Sequence, residues 1–161
     1  IRHYRETGDS FLEVKKKNNR ERTIKNRLPL TSQTVASSRV VPVLEEQLGR
    51  PVAGMLPALF VGYRRMTFMS AQGTERITVD TGLGFYSADR RSGLCLPDVA
   101  VFEVKYDRKV PYSPFLERLG QLGCRPVQFS KYCIGTSLLF GHECKTNRFK
   151  PLLRRLHGIC S

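Results

Sequence analysis

Acidic side chains are scarce in this chain of 161 residues: fourteen Asp and Glu stand against twenty-seven Lys and Arg, a formal charge of +13. Such an imbalance points to a polyanionic partner, whether nucleic acid, anionic lipid or polyphosphate, and charge alone does not choose among them. No stretch approaches the ~20 apolar residues that a membrane-spanning helix needs, and no signal-peptide pattern opens the chain, so a domain without a membrane segment is expected. The five cysteines are odd in number and irregularly spaced, which argues against a disulfide framework and for a reducing compartment. His142, Cys144, His157 and Cys160 match no common zinc spacing, and cysteine is often simply a small buried hydrophobe. Low-complexity segments and long linkers are lacking too. So is any recognised nucleic-acid motif: the basic residues alternate along strands instead of clustering on one helix, and no nucleic-acid partner is expected. The chain opens without a methionine on Ile1-Arg2-His3-Tyr4-Arg5, already strand-like. A single domain over residues 1–161, truncated at its N-terminus, is the expectation, and 40% hydrophobic residues are enough to give it a core.

What is present is alternation. β-Branched and aromatic residues alternate with polar ones near residues 1–6, 11–17, 22–28, 58–69, 75–81, 99–106 and 128–133, which predicts strands. Thr7-Gly8-Asp9-Ser10 and Lys17-Asn18-Asn19-Arg20 are turn sequences, so the first three strands should form an antiparallel meander. Helices are predicted in three places. Over 113–122, Ser113 suits the N-cap, Pro114 the first helical position, Phe115, Leu119 and Leu122 one apolar face, and Gly123 the stop. At the C-terminus Phe149, Leu152, Leu153 and Leu156 form a stripe with Lys150, Arg154 and Arg155 opposite, ended by Gly158 and packed on the outside of the sheet. The third, from Ser32 to Leu48, is interrupted by Pro42; Val41, Leu44 and Leu48 would face inward and Glu45 and Glu46 outward.

Residues two apart in a strand share a face. That rule groups Glu13, Lys15 and Lys17; Lys25 and Arg27; Tyr63, Arg65 and Thr67; Arg76, Thr78 and Asp80; and Glu103 and Lys105. The opposite faces carry Leu12 and Val14, Ile24 and Leu28, Phe60 and Phe68, Ile77 and Val79, and Phe102 and Val104, and these faces call for burial. Phe11-Leu12-Glu13-Val14-Lys15 is echoed by Val101-Phe102-Glu103-Val104-Lys105, each placing a Glu and a Lys on one face. Two architectures satisfy the pattern. One is an ordinary antiparallel sheet whose charged faces meet water. The other is a barrel whose charged faces line a wet tunnel, a site made for a polyanion, because facing cations repel unless an anion lies between them. In that tunnel Glu13 and Glu103, with Asp80 a third candidate, would hold a divalent cation; otherwise they form cross-strand ion pairs.

Arg2 through Tyr4, Phe11-Leu12-Glu13-Val14-Lys15, Lys25-Asn26-Arg27, Tyr63-Arg64-Arg65-Met66-Thr67-Phe68, Arg76-Ile77-Thr78-Val79-Asp80-Thr81, Phe102-Glu103-Val104-Lys105-Tyr106 and Phe129-Ser130-Lys131-Tyr132 resemble, in order and over nearly the whole chain, the strand motifs of the vacuolar transporter chaperone (VTC) domain. That family belongs to the triphosphate tunnel metalloenzymes. The resemblance implies an α+β fold, an antiparallel β-barrel with charged lumen and helices packed outside. It also implies transfer of the γ-phosphate of ATP onto a growing polyphosphate with Mn²⁺ or Mg²⁺. By position, Arg2, Lys15, Lys25, Arg65 and Lys131 would grip phosphates in catalysis and Glu103 would bind the metal. Arg27, Arg76, Lys105, Ser130 and Glu13 would be substrate-binding residues of the lumen. Gln128 stands where some members place a further Lys. The alternatives are a non-catalytic module binding polyphosphate or inositol polyphosphates, or a triphosphatase of the same fold. Stand-alone domains of this kind are typical of bacteria, which implies a bacterial cytoplasmic protein.

Overall fold

A computed structural model of the chain describes residues 1–17, 23–31, 40–52, 54–107 and 112–160. They divide into two compact units, Ile1–Leu56 and Pro57–Ser161.

In the first unit, β1 (Arg2–His3), β2 (Ser10–Lys17) and β3 (Thr23–Leu30) form the expected antiparallel meander. The first turn closes through Tyr4 and Asp9, with Gly8 at φ 74°; the second expected turn lies largely outside the described residues. Glu13 pairs with Arg27 and Lys15 with Lys25. The charged groups therefore fall on one face while Leu12 and Val14, both buried, fall on the other. Helix α1 (Val40–Leu48) packs on β2. The Asn26 amide donates to Gln47 at 3.1 Å. Pro42 does not interrupt α1, because it is the third residue of the helix, where a backbone N–H would have no intrahelical acceptor. Residues 32–39, where the same helix was expected to begin, lie outside the described residues. Val41 is exposed rather than inward-facing. Glu45 is more than a solvated side chain: its carboxylate accepts the N–H of buried Val52 at 3.0 Å.

The second unit is built on β5 (Glu75–Ser87), which pairs along one edge with β4 (Leu59–Met69). Its other edge is shared by β6 (Gly93–Leu96) and β7 (Val101–Tyr106). Gly82 and Leu83 stand opposite the single residue Tyr63, and Gly82 has φ 59°. This β-bulge changes the alternation of β5. Asp80 lies across from Arg65 and Phe85 across from Val61, so both point to the same side of the sheet although they are five residues apart. One face is thus apolar at one end, with Leu59, Val61, Leu83 and Phe85, and ionic at the other, with Arg65, Thr78 and Asp80.

Helix α2 (Pro114–Gln121) matches its sequence signals: Ser113 Oγ accepts from Leu116 N at 3.1 Å and also donates to Glu75. Residues 128–133 are not a strand. Ser130 Oγ accepts from Cys133 N, and helix α3 runs from Lys131 to Phe140. The β-forming run Tyr132-Cys133-Ile134 is overridden because helical geometry buries Ile134 and brings Gly135 against Phe85 and Leu59. A 3₁₀ turn (Asn147–Phe149) leads into α4 (Lys150–Cys160), which passes through Gly158 instead of stopping there. Phe149, Leu152, Leu153 and Leu156 pack with α3 onto Leu83, Phe85 and Leu96.

This core corrects one expectation. In the second unit the buried side is the one that carries the ions, and the opposite side stays open: Phe68 is 51% and Phe102 46% exposed. With Met66, Ile77, Val79 and Phe115 they line an apolar groove of about 470 Å³. Among the described residues the ladders make two antiparallel sheets, of three and four strands, with four α-helices and no closed barrel.

Candidate functional site

Each unit gathers cations around a carboxylate. In the first, strand pairing sets Lys25 beside Lys15 and brings Arg2 alongside Phe11. Glu13, its side chain 9% exposed, receives Lys25 Nζ at 2.9 Å, Lys15 Nζ at 3.2 Å and Arg2 Nη2 at 3.6 Å. Burial alone would raise the Glu13 carboxyl. Pairing with Lys25 and Lys15 and the charge of Arg2 outweigh it and hold the group at about 2. Arg27 faces Glu13 in register but joins no carboxylate among the described residues. Its guanidinium stacks 3.8 Å from the centre of the Phe11 ring and 5.4 Å from that of Tyr4. Hydrogen bonding from Arg2 lowers the Tyr4 hydroxyl pKa.

In the second unit Asp80 is 1% exposed, and both its oxygens are taken. Arg65 Nε lies 2.6 Å from Oδ1, Arg65 Nη2 2.7 Å from Oδ2, and Lys131 Nζ 2.5 Å from Oδ2. Burial would raise the Asp80 carboxyl, but the bonds from Arg65 and Lys131 win and depress it; bonding to Asp80 in turn raises Arg65. The Tyr63 ring lies beneath both cations, 5.2 Å from Arg65 and 4.8 Å from Lys131. Glu103 pairs with Lys105 at 2.9 Å, and that bond, opposed by burial and helped by the charges of Arg65 and Lys131, lowers its pKa. The echo between residues 11–15 and 101–105 is therefore structural, since each copy makes the same Glu-x-Lys ion pair.

Other expected site residues are placed differently. Arg76 is exposed on the ionic face of β5, paired in register with Lys105. Ser130 has its hydroxyl engaged in capping α3, which sets the start of the helix that presents Lys131. Gln128 accepts a hydrogen bond from Arg148 at 2.6 Å. Sequence alternation missed the part played by Asp80, grouped above with Arg76 and Thr78 as a third metal candidate. The signal that would have found it is the Arg65–Asp80 register, which depends on the bulge at Gly82.

A metal has few ligands to choose from. Among the described residues no three His, Cys, Asp or Glu side chains come together. Both oxygens of Asp80 are taken by cations; Glu13 is ringed by three cations, although its Oε2 makes no geometrically good hydrogen bond among the described residues. Glu103 remains half-exposed, and its neighbour in register, Thr78, has a buried hydroxyl without a hydrogen-bond partner among the described residues. One carboxylate beside an unsatisfied hydroxyl fits an ion such as Mg²⁺, which draws most of its ligands from water and substrate phosphates.

No helix among the described residues is long and apolar enough to cross a membrane. Neither the curated proteins nor the solved structures yield a match. The family model described as VTC domain matches residues 45–140, more than half of the chain and the stretch that carries Arg65, Asp80, Glu103 and Lys131. The chain belongs to the VTC domain family, which is linked to polyphosphate metabolism.

Proposed function

We propose that this chain is the phosphate-handling part of a polyphosphate polymerase that transfers the γ-phosphate of ATP to a growing polyphosphate. The observation that carries the reading is the excess of cations on one face of each sheet: Arg2, Lys15 and Lys25 around Glu13, and Arg65 and Lys131 around Asp80. Each carboxylate fixes its cations in place but neutralises only part of their charge, leaving a rigid positive surface for phosphate oxygens. Phosphoryl transfer asks mainly for positioning and charge neutralisation. A terminal phosphate oxygen of the acceptor attacks the γ-phosphorus in line, the bond to the β-phosphate oxygen breaks, and ADP leaves; no Ser, Cys or His nucleophile is required. Arg2, Lys15, Lys25, Arg65 and Lys131 hold the phosphates, with Arg27, Arg76, Lys105 and Ser130 bordering them. Glu103, with the Thr78 hydroxyl, is the residue that would hold Mn²⁺ or Mg²⁺. When bound, that ion would supply a hard positive charge to offset the charge of the substrate phosphates. In this reading the charged faces line the lumen of an antiparallel barrel, and the protein works in a bacterial cytoplasm.

A second reading is favoured by the near-complete pairing of the carboxylates: a module that binds polyphosphate or inositol polyphosphates without chemistry, or a triphosphatase. Incubation with ATP and Mn²⁺ separates them. Long polyphosphate and ADP are expected. Inorganic phosphate alone identifies a triphosphatase, and metal-independent binding without turnover identifies a binding module.

A further inference from the structure

We propose, resting on the phosphate-binding reading above, that Asp80 is a positioning residue that makes Arg65 and Lys131 into one preformed two-pronged grip for a phosphate group. Three separate elements meet at its carboxylate: Asp80 belongs to β5, Arg65 to β4, and Lys131 is the first residue of α3. Arg65 donates through two nitrogens to the two oxygens, which fixes the plane of the guanidinium as well as its place. Lys131, a side chain with four rotatable bonds, is pinned at 2.5 Å and rests on the same Tyr63 ring as Arg65. Lysine and arginine are among the residues that lose the most rotamer freedom when fixed, and cations already held in place avoid that loss when the ligand arrives.

The alternative role for a buried carboxylate between two cations is plain neutralisation. The two roles differ in sign. A neutralising carboxylate weakens anion binding, so its removal tightens it. A positioning carboxylate strengthens anion binding despite its charge, so its removal weakens it. The geometry favours the second, because Asp80 is completely enclosed and both oxygens are spent on orienting donors.

The experiment is calorimetric titration of the whole chain with tripolyphosphate, without metal, at several salt concentrations, comparing wild type with Asp80→Asn. Asp80→Asn should bind about tenfold more weakly at near-physiological salt, with a steeper salt dependence because the site has gained a net positive charge. Equal or tighter binding by Asp80→Asn overturns the proposal and leaves neutralisation. A wild-type chain that binds no tripolyphosphate overturns both this proposal and the phosphate-binding reading. Failure to make polyphosphate while still binding tripolyphosphate overturns only the polymerase reading. Should Asp80→Asn not fold, the wild-type ammonium signals decide, with Lys131→Met supplying the assignment. The Lys131 ammonium should be restrained and slow to exchange, and a signal averaged like those of exposed lysines refutes the grip.

Discussion

Glu13 gives the first unit a built-in response to acid. Its carboxyl sits at about 2 in the folded chain against an ordinary 4.5. The stability it contributes is therefore complete above pH 4.5 and is lost as the pH falls through about 2. Asp80 and Glu103 are shifted in the same direction and add to the loss. Urea midpoints measured across this window should fall continuously, and Glu13→Gln should flatten the curve. At the same scale, Lys25→Met should weaken tripolyphosphate binding about tenfold or more, the usual worth of a hydrogen bond to a charged group. Arg155→Gln, on a helix that carries no proposed phosphate contact, should change it far less. Individual cations such as Lys15, Lys25 and Arg65 were legible in the sequence because strands alternate. The bonds that hold them were not, since a carboxylate clamped by cations and one free to bind metal look identical until strand register is known.

Helix α3 shows how an element escapes local reading. Tyr132, Cys133 and Ile134 have the composition of a strand, and only the cap at Ser130 hints otherwise. Packing decides the matter: a methyl group on Gly135 would lie 2.3 Å from Phe85 Cδ1 and 2.9 Å from Leu59 Cδ2. Gly135→Ala should therefore destabilise the second unit by about 1–3 kcal/mol through overpacking. Ser130→Ala should cost about 1 kcal/mol through loss of the cap. Chemical unfolding checks both. Ser130→Ala should also loosen phosphate binding, since the start of α3 carries Lys131. By contrast the antiparallel order of β1 to β3 and the Ser113 cap of α2 were visible, because turns and caps are local signals, although β1 is shorter than the expected 1–6 and Leu122 stays exposed beyond the helix. Strand β6 was not visible: four residues between the turn at Ala88–Ser92 and the turn at Pro97–Asp98 carry too little pattern, and β5 supplies the reason it forms.

For the molecule as a whole, the charge of +13 predicts polyanion binding that collapses with salt. Affinity for a long polyphosphate should drop by about a hundredfold or more between roughly 50 and 200 mM salt, as several counterions per complex are released. Titration across that range checks it. The seven motifs were enough to anticipate the family, because they come in order over nearly the whole chain. The side of the second sheet that would be buried was not anticipated. Strict alternation through β5 puts Asp80 and Phe85 on opposite sides, and the extra residue at Gly82 reconciles them. That insertion works as a phase shift within a single strand, allowing one helix to seal oily and ionic neighbours at once. A chain lacking Gly82 would have to abandon either its dry half or its salt-bridged half, so this glycine is where folding and ligand capture are joined.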